Sequence, residues 1–478
     1  MYDVVVIGCG ITGAAAAFEL SRYRLRVAVL ERENDVACGT TKANSAILHA
    51  GYDPAPGSLM ARLNVRGSAL AEELCAALDV PYRRTGSLVA ALGAGDLPKL
   101  EALYAQGRAN GVPGLELLGG AEARALEPNL SPAVTAALHA PSAAICSPWE
   151  YCLALAETAV RNGAELYRRA AVTGVERLER GWRLHTARGT FETRFVVNAA
   201  GVCADQVHDL AAPHAFSILP SRGQYFLLDK EEGERTGKVI FQCPGPDGKG
   251  VLCAPTVHGN FIVGPNAEDV AGEDTATTAG GLDYVRATAG RAVPSINFRA
   301  CIRSFAGVRA KTERDDFILA FAAPGFLDLA GICSPGLTAA PAIGEYAAGL
   351  LSDAGLALEK KPDFACERRR LRFSELSGPE RAALVAARPE YGRIVCRCET
   401  ISEGEILDAL DTPVPPCSVD GVKRRVNAGM GRCQGGFCGP RVVELLARRL
   451  GVDPTEIVQD RDGTWLLCGQ TKGGERHV

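Results

Sequence analysis

Hydrophobic and polar positions along the chain follow two alternating periods, and together they predict an α/β body. Up to about residue 370, short apolar runs of strand length alternate with stretches that carry apolar residues at helical spacing. The clearest strands are predicted at residues 3–8, 26–31, 195–199 and 326–330. Strands that alternate with helices are typical of parallel sheets covered by helices.

Between about residues 210 and 320 the pattern changes. Runs rich in Val, Ile, Phe and Tyr are separated by Gly, Pro and Asn, as in GQYFLLD, GVLCAPTVHGNFIVG and RSFAGVRA. Such runs are typical of antiparallel strands joined by short turns. We therefore predict an antiparallel sheet inserted into the α/β body and built from roughly residues 80–145 and 210–320.

A charged stretch near residue 370 precedes a Cys-rich C-terminal region, and it marks the main domain boundary. We predict a first domain over residues 1–370 and a linker over 371–392. A small helical module should follow at 393–446, and a C-terminal tail at 447–478.

Composition and charge narrow the function further. The chain has 478 residues, which favours several cores, and a formal net charge of -4, which gives no footprint for nucleic acid or anionic lipid. The first residues enter a strand at once, so no secretory signal is predicted, and no apolar run approaches the ~18–20 residues of a membrane span. Most of the 17 cysteines are scattered singly, which predicts reduced thiols and a cytoplasmic protein.

A glycine motif follows the first predicted strand. Gly8, Gly10 and Gly13 form G-x-G-x-x-G before a helical pattern, and Glu31 ends the next strand. The first glycine allows a tight turn, the second lets the backbone approach a pyrophosphate, and the third permits close helix packing. The carboxylate is placed to accept ribose hydroxyls. The motif predicts a Rossmann-type dinucleotide site; the alternative is a glycine turn that only packs.

Two later segments favour FAD over NAD. RFVVNAAGVCAD reads as a strand that ends at Gly201, and FLDLAGICSPGLTAAPAIG as a strand whose turn opens a helix near Gly336 and Leu337. Three strand ends that converge on one ligand suit a long, extended cofactor. The helix would direct its positive end at the flavin ring, where it favours the anionic reduced form.

These segments carry a family resemblance. The glycine motif, TTKANSAILHAGYD, VVNAAG and SPGLTAAPAIG resemble the D-amino-acid-oxidase superfamily of FAD enzymes over about residues 1–350. The resemblance implies a glutathione-reductase-like FAD domain and a substrate domain whose sheet covers the flavin. We also expect Thr41, Ser45, Val172 and Thr338 to contact FAD.

Two branches of that superfamily compete. NSAILHAGYDPAPGSLMARL is similar to L-2-hydroxyglutarate oxidases, whereas SFAGVRA and the domain order resemble the catalytic subunit of anaerobic glycerol-3-phosphate dehydrogenases. Both branches oxidise a secondary alcohol beside an anionic group. The chain departs from the hydroxyglutarate pattern at Asp53, where that pattern has a second aromatic residue.

Arg309 and His49 are the candidate catalytic residues. Arg309 ends an apolar strand, and its guanidinium suits bidentate capture of phosphate or carboxylate; the alternative is a surface ion pair. His49 follows the apolar run SAIL, and imidazole has the pKa range of a base for a hydroxyl proton. His258 is a weaker candidate, because its neighbours Gly259 and Asn260 predict a hairpin turn.

Four cysteines near the C-terminus form two close pairs. Cys396 and Cys398 make C-x-C, and Cys433 and Cys438 make C-x4-C. Zinc sites normally use C-x2-C pairs, so these spacings disfavour zinc. The segment VKRRVNAGMGRCQGGFCGPRV resembles the bacterioferritin-associated-ferredoxin-like [2Fe-2S] domain. That resemblance implies a [2Fe-2S] cluster on the four thiolates, with zinc or an empty thiol set as the alternative. Cys417 lies between the pairs and is left out.

Together these features predict an FAD-dependent dehydrogenase that passes electrons through a [2Fe-2S] cluster to another protein or subunit. Sn-glycerol 3-phosphate is the first substrate hypothesis, followed by L-2-hydroxyglutarate or another 2-hydroxy acid, and then an amino acid. A noncatalytic electron-relay subunit is a separate hypothesis. No nucleic-acid partner is expected, and a peripheral membrane complex would form only through a partner.

Overall fold

The computed structural model describes residues 1–245 and 250–469. Numbered in chain order, its strands are β1 Tyr2–Ile7, β2 Val27–Leu30, β3 Ile47–Leu48, β4 Tyr82–Arg84, β5 Ser87–Ala91, β6 Glu116–Gly119, β7 Ala136–Ala140, β8 Ala144–Cys146, β9 Glu165–Tyr167, β10 Val172–Arg177, β11 Trp182–Thr186, β12 Gly189–Asn198, β13 Leu219–Leu228, β14 Val239–Gln242, β15 Leu252–Pro255, β16 Phe261–Gly264, β17 Glu268–Asp269, β18 Cys301–Lys311, β19 Ile318–Ala323, β20 Phe326–Ala330, β21 Ile394–Cys396 and β22 Ile401–Ser402. Its helices are α1 Ile11–Leu20, α2 Leu59–Ala77, α3 Leu97–Ala109, α4 Gly120–Leu126, α5 Pro148–Arg161, α6 Ala204–Asp209, α7 Ala279–Ala292, α8 Gly336–Asp353, α9 Gly378–Ala387, α10 Glu403–Leu410, α11 Val419–Val426 and α12 Gly439–Leu450.

The first sheet has a parallel centre in the order β9-β2-β1-β12-β20. All four residues of β2 and the last four of β1 are buried, which explains why these strands read as continuous apolar runs rather than alternating ones. Strands β10, β11 and β19 extend this sheet in antiparallel fashion. The fold is α/β, as the sequence predicts.

Helix α1 lies on this sheet and contacts both α5 and α8. Its residues from Ala14 to Ala17 are at most 1% exposed, so small side chains bring the neighbouring helices close. A Cβ atom on Gly13 would lie 2.0 Å from the carbonyl oxygen of Gly8, which only glycine avoids. This contact fixes the start of α1 against the end of β1.

The second sheet has the order β17-β13-β16-β15-β14-β5-β7-β6. In addition, β18 pairs with β13 in antiparallel fashion along the whole length of β13. It takes strands from both segments from which the sequence predicts a sheet. One difference appears where those segments meet, because β5 and β14 pair in parallel. They are far apart in sequence, so no hairpin turn forces them to run in opposite directions. A small separate sheet, β3-β8-β4, contributes residues to the hydrophobic cores under both large sheets.

The C-terminal module consists of the β21–β22 hairpin and helices α10 to α12, with a hydrophobic core of its own. Helix α12 continues to Leu450 and stops at Gly451, whose φ of +68° favours glycine. The boundary at residue 446 drawn from the sequence therefore falls inside a helix, because its apolar stripe and its glycine stop lie further on. Residues 470–478 of the predicted tail lie outside the described residues.

The segment after α12 folds back onto the module. Ile457 is 1% exposed and belongs to the module's core, and Val458 beside it is 6% exposed. The predicted linker at 371–392 contains helix α9. In the part of the chain that the structure describes, no helix combines the length and apolar character needed to cross a bilayer.

Candidate active site and cluster site

A cavity of about 770 Å³ opens where the carboxyl ends of β1, β2 and β12 face the second sheet. Ligands of open α/β sheets bind at this end of the strands. The volume lies within the ~300–1,000 Å³ that is typical of small-molecule sites. The cavity is therefore the candidate site for cofactor and substrate together.

The turn between β1 and α1 forms one wall of the cavity. Gly8 and Gly10 line it, whereas Gly13 lies outside the lining and packs on Gly8. Gly10 is the N-cap of α1 and offers no side-chain cap, so amides of the first helical turn remain available to an anion. The amide of Ile11 already donates to Oγ1 of Thr41 at 2.9 Å.

Glu31 ties the end of β2 to this turn. Its carboxylate accepts hydrogen bonds from the amides of Cys9 at 2.7 Å and Glu33 at 2.9 Å, and it lines the cavity. Burial raises the pKa of Glu31, and the two amides oppose that shift by stabilising the charged form. Glu31 thus shapes the turn in addition to facing the ligand.

A second helix N-terminus lies at the same cavity. Gly336 and Leu337 begin α8 and line it, and the N-cap Pro335 offers no side-chain cap. Thr338 is placed differently from the expectation that it contacts FAD. It is fully buried and outside the cavity lining, and its Oγ1 accepts a hydrogen bond from the amide of His49 at 2.8 Å. Thr338 follows Leu337 in α8, and its side chain points toward the backbone after β3 and not into the cavity.

Arg309 lies on β18 opposite Ser221 of β13, and both residues line the cavity. Its Nη2 donates to the carbonyl oxygen of Asn266 at 3.2 Å. Among the described residues no carboxylate forms an ion pair with Arg309, so the surface ion pair considered from the sequence is not formed there. Its charge is available to an anionic ligand.

His49 follows β3 and faces the same cavity. Its Nε2 lies 3.4 Å from Oγ of Ser334, and its ring centre lies 5.6 Å from that of Phe241. The hydrogen bond from its amide to Thr338 fixes its backbone to α8. The structure therefore brings the imidazole, the guanidinium and both helix N-termini to one cavity.

The remaining predicted contacts also line the cavity, and they are Thr41, Ser45, Val172 and Gly201. Sequence reasoning missed Tyr225, Phe241 and Ser334, which line it as well. Tyr225 and Phe241 lie on strands of the second sheet, where no sequence signal shows which face meets the cofactor. Ser334 is the first residue of the SPGLTAAPAIG segment, so the sequence indicated this segment as part of the site but did not indicate Ser334 itself.

His258 lies in the hairpin turn between β15 and β16, as the sequence predicts, and outside the cavity lining. Its ring stacks on Trp149 at 6.1 Å, and its Nε2 lies 3.0 Å from the buried carboxylate of Glu150. Burial alone would raise the pKa of Glu150, but Arg370 and His258 lower it to about 2. His258 therefore belongs to a buried ion-pair network and not to the cavity.

The lining residues fit FAD. Two helix N-termini without side-chain caps offer amide donors to a pyrophosphate and to a ring oxygen, and Glu31 faces the same space. Glu31 at the end of β2 and Arg309 on the second sheet line this same cavity, so the residues that would hold a dinucleotide and those that would hold a small substrate share one space.

The four predicted cluster ligands come together in the C-terminal module. Sγ of Cys398 lies 3.8 Å from Sγ of Cys433, and the Cys396 and Cys438 thiols are hydrogen bonded to each other. Cys396 and Cys438 are at most 2% exposed, while Cys398 and Cys433 are exposed. Among the described residues, no group of three or more His, Cys, Asp or Glu side chains forms a compact single-ion site. The thiols lie instead in two pairs.

The surroundings of these thiols fit a [2Fe-2S] cluster. The hydrogen bond from Cys438, together with the amides of Gly429 and Glu399, lowers the pKa of Cys396 to about 6. The same contact raises the pKa of Cys438, so the fit to iron rests on the four thiols and on the amide donors of Gly429 and Glu399, which would stabilise a thiolate ligand. A Cβ atom on Gly431 would lie 2.3 Å from Cβ of Cys398, so glycine is needed for this close approach. Cys417 takes no part and donates to the carbonyl oxygen of Asn34 at 3.1 Å.

A dinucleotide cavity roofed by a second sheet, joined in one chain to a four-thiolate module, defines a flavin-dependent redox enzyme. Comparison with known families agrees. Residues 3–350 match the family described as FAD dependent oxidoreductase, and residues 394–448 match the BFD-like [2Fe-2S] binding domain. The chain belongs to the FAD-dependent oxidoreductase family, and its cofactors are FAD and a [2Fe-2S] cluster.

Individual proteins extend this comparison. A glycerol 3-phosphate dehydrogenase of Caloramator mitchellensis is 48% identical over 99% of both chains. A glycerol 3-phosphate oxidase of Mycoplasma genitalium is 32% identical over 75% of this chain and 96% of its own length. The structure of dithionite-reduced L-alpha-glycerophosphate oxidase from Mycoplasma pneumoniae with FAD bound superposes with a TM-score of 0.73, at 31% identity, over 78% of this chain and 99% of that one.

Proposed function

We propose that this enzyme oxidises the secondary alcohol of sn-glycerol 3-phosphate and passes the electrons from FAD to the [2Fe-2S] cluster. The observation that carries the proposal is the 48% identity, over 99% of both chains, to a glycerol 3-phosphate dehydrogenase. The cavity supports it, because an arginine without a carboxylate partner among the described residues shares that cavity with a histidine. A noncatalytic relay would need neither group at the cofactor.

Arg309 is proposed to bind the phosphate group. A guanidinium offers parallel N–H donors that match two oxygens of a phosphate, and the contact is stronger where water is excluded. The Asn266 carbonyl holds one end of the guanidinium and so limits its rotation. This would place the phosphate beneath the second sheet and leave the carbinol carbon toward the flavin end of the cavity.

His49 is proposed to accept the proton of the secondary hydroxyl. When bound, FAD supplies the acceptor for the hydride of the alcohol carbon. Removal of the hydroxyl proton makes that hydride easier to lose, and neutral imidazole is suited to this near pH 7. Ser334 at 3.4 Å from Nε2 and the backbone bond to Thr338 hold the ring in position.

The electrons are proposed to leave through the cluster to a protein or subunit that accepts single electrons. The exposed thiol pair Cys398 and Cys433 supports this exit, since one side of the cluster would then face a partner. Three quarters of this chain cover 96% of the oxidase relative from Mycoplasma genitalium, so that oxidase is a shorter protein than this chain. We propose a cytoplasmic enzyme that reaches a membrane only through its partner.

Anaerobic flavin bleaching tests the substrate. We expect sn-glycerol 3-phosphate to bleach the flavin within the mixing time of a manual experiment, and glycerol and the opposite enantiomer to act far more slowly. L-2-hydroxyglutarate and amino acids are run beside them. Faster bleaching by L-2-hydroxyglutarate or by an amino acid would assign the enzyme to that class instead.

The His49→Gln variant tests the proposed base. We expect the rate of flavin reduction at saturating substrate to fall by about 10²–10⁴-fold, the usual contribution of a general base. Stopped-flow absorbance measures this rate, and its substrate dependence should change little. His214→Gln is the matched control, because His214 is exposed and pairs with Asp209 outside the cavity. A His49 variant that reduces its flavin as fast as the control would remove His49 from this role.

A further inference from the structure

The loop of residues 31–45, here called the cofactor loop, has two faces. One face lines the cavity through residues 31–33, 38–41 and 43–45. The other face carries Asn34, Asp35 and Lys42, which lie outside the cavity lining. Asp35 is 0% exposed and Asn34 is 1% exposed, so this outer face is covered by protein. The residues that cover it belong to the C-terminal part of the chain.

The [2Fe-2S] module covers the outer face with two arginines of α11. Arg425 donates to both carboxylate oxygens of Asp35, at 2.8 and 2.9 Å, and Arg424 donates to one of them at 3.0 Å. Arg424 and Arg425 are themselves at most 3% exposed. Burial alone would raise the pKa of Asp35, but the two guanidinium groups outweigh it and hold that pKa well below its usual range.

The segment after α12 contacts the same outer face of the cofactor loop. The carboxylate of Asp460 forms ion pairs with Lys42 of the cofactor loop and with Arg424, the latter at 2.7 Å. The backbone carbonyl of Asp460 accepts a hydrogen bond from the amide side chain of Asn34 at 2.8 Å. Arg461 donates to the carbonyl oxygen of Cys38 at 3.2 Å. Asp460 is thus bonded both to the cofactor loop and to helix α11 of the module.

Each charged side chain at this interface is stabilised by an oppositely charged neighbour. A buried ion without its partner is strongly destabilising, because it has lost its hydration and gained nothing in return. Lys42, Asp460, Arg424 and Asp35 form a continuous chain of ion pairs, and Arg425 also pairs with Asp35. Displacement of the cofactor loop would leave Asp35 and Lys42 without these partners and Arg425 without its carboxylate, whereas Arg424 and Asp460 would keep each other. The cofactor loop and the C-terminal part therefore stabilise each other's position.

We propose that this interface couples FAD binding to docking of the [2Fe-2S] module. FAD in the cavity orders the inner face of the cofactor loop, and the outer face of the same loop is the surface on which α11 and the C-terminal segment close. Asp460 is the positioning residue of this coupling. Coupling of affinities is reciprocal, so the docked module should tighten FAD binding by the same factor by which bound FAD favours docking. The inference depends on FAD binding and not on the identity of the substrate.

Release of FAD from the full-length holoenzyme tests the coupling. We expect Asp460→Asn to release FAD about 10-fold faster or more than the wild type after dilution, because typical couplings change affinity by about 5–150-fold and such changes appear mostly in the dissociation rate. Recovery of free-flavin fluorescence measures the rate. Asp411→Asn is the matched control, since Asp411 pairs with Arg449 on an exposed surface within the module. Its release rate should equal that of the wild type.

A second variant and a second readout complete the test. Lys42→Gln breaks the chain of ion pairs from the loop side, and it should also speed FAD release. Removal of FAD from the wild type should increase hydrogen exchange in residues 419–426 and 457–464 while leaving α12 protected. Release at the wild-type rate in both Asp460→Asn and Lys42→Gln, or exchange in these segments that FAD does not change, would overturn the coupling.

Discussion

Replacing Arg309 by alanine is expected to lower kcat/KM for sn-glycerol 3-phosphate by about 10²–10³-fold. Loss of one partner from a desolvated, hydrogen-bonded charge pair costs about 2–5 kcal/mol, and a tenfold change corresponds to about 1.4 kcal/mol. Arg309 lines the cavity on β18, away from the glycine turn, so the variant should keep its FAD. Most of the loss should appear in KM, because the phosphate is bound in ground state and transition state alike.

Two further variants sharpen the Arg309 experiment. Arg309→Lys keeps the charge but loses the planar fork, so it should recover only part of the lost kcat/KM. Arg314→Ala is the matched control, since Arg314 is exposed near the end of the same sheet and its guanidinium donates to the carbonyl oxygen of Ala215. Steady-state kinetics of Arg309→Ala that match those of Arg314→Ala would show that the anionic group is bound elsewhere.

Replacing Cys433 by serine is expected to reduce the electron capacity of the chain from about three to about two. FAD takes two electrons and a [2Fe-2S] cluster takes one, and a serine hydroxyl is a far weaker iron ligand than a thiolate. Anaerobic dithionite titration followed by absorbance measures the capacity. Cys433 is exposed, and the FAD domain has its own core, so the variant should still fold and its flavin should still be bleached by substrate.

The same Cys433→Ser variant should lose the electron paramagnetic resonance signal of the reduced cluster, and turnover with a one-electron protein acceptor should fall by at least about tenfold. Turnover with oxygen should remain slow in both forms. Cys468→Ser is the control, because Cys468 is an exposed cysteine outside the two pairs. A cluster-free Cys433 variant that transfers electrons to a protein acceptor at the wild-type rate would show that the module is structural.

The amino-acid sequence by itself determined the parts whose chemistry requires particular residues at short spacing. Gly8, Gly13 and Glu31 belong to one consecutive strand–helix–strand unit, β1–α1–β2, so their pattern is visible within about 30 residues. The same holds for the two cysteine pairs, since a cluster needs four thiolates and glycines that allow close approach. The α/β fold followed from such local patterns, and the two cofactors followed from these patterns together with the family resemblances that they carry.

Only the tertiary structure decided which side chains face the cavity and what the C-terminal part contacts. Thr338 and His258 turn away from the cavity because α8 and the β15–β16 hairpin pack against other elements, and these contacts leave no trace in the local pattern. Asn34 and Asp460 are hydrogen bonded across 426 positions of sequence. Pairings at that separation depend on how whole elements pack, so a tail with no strong local pattern becomes part of the support for the cofactor loop.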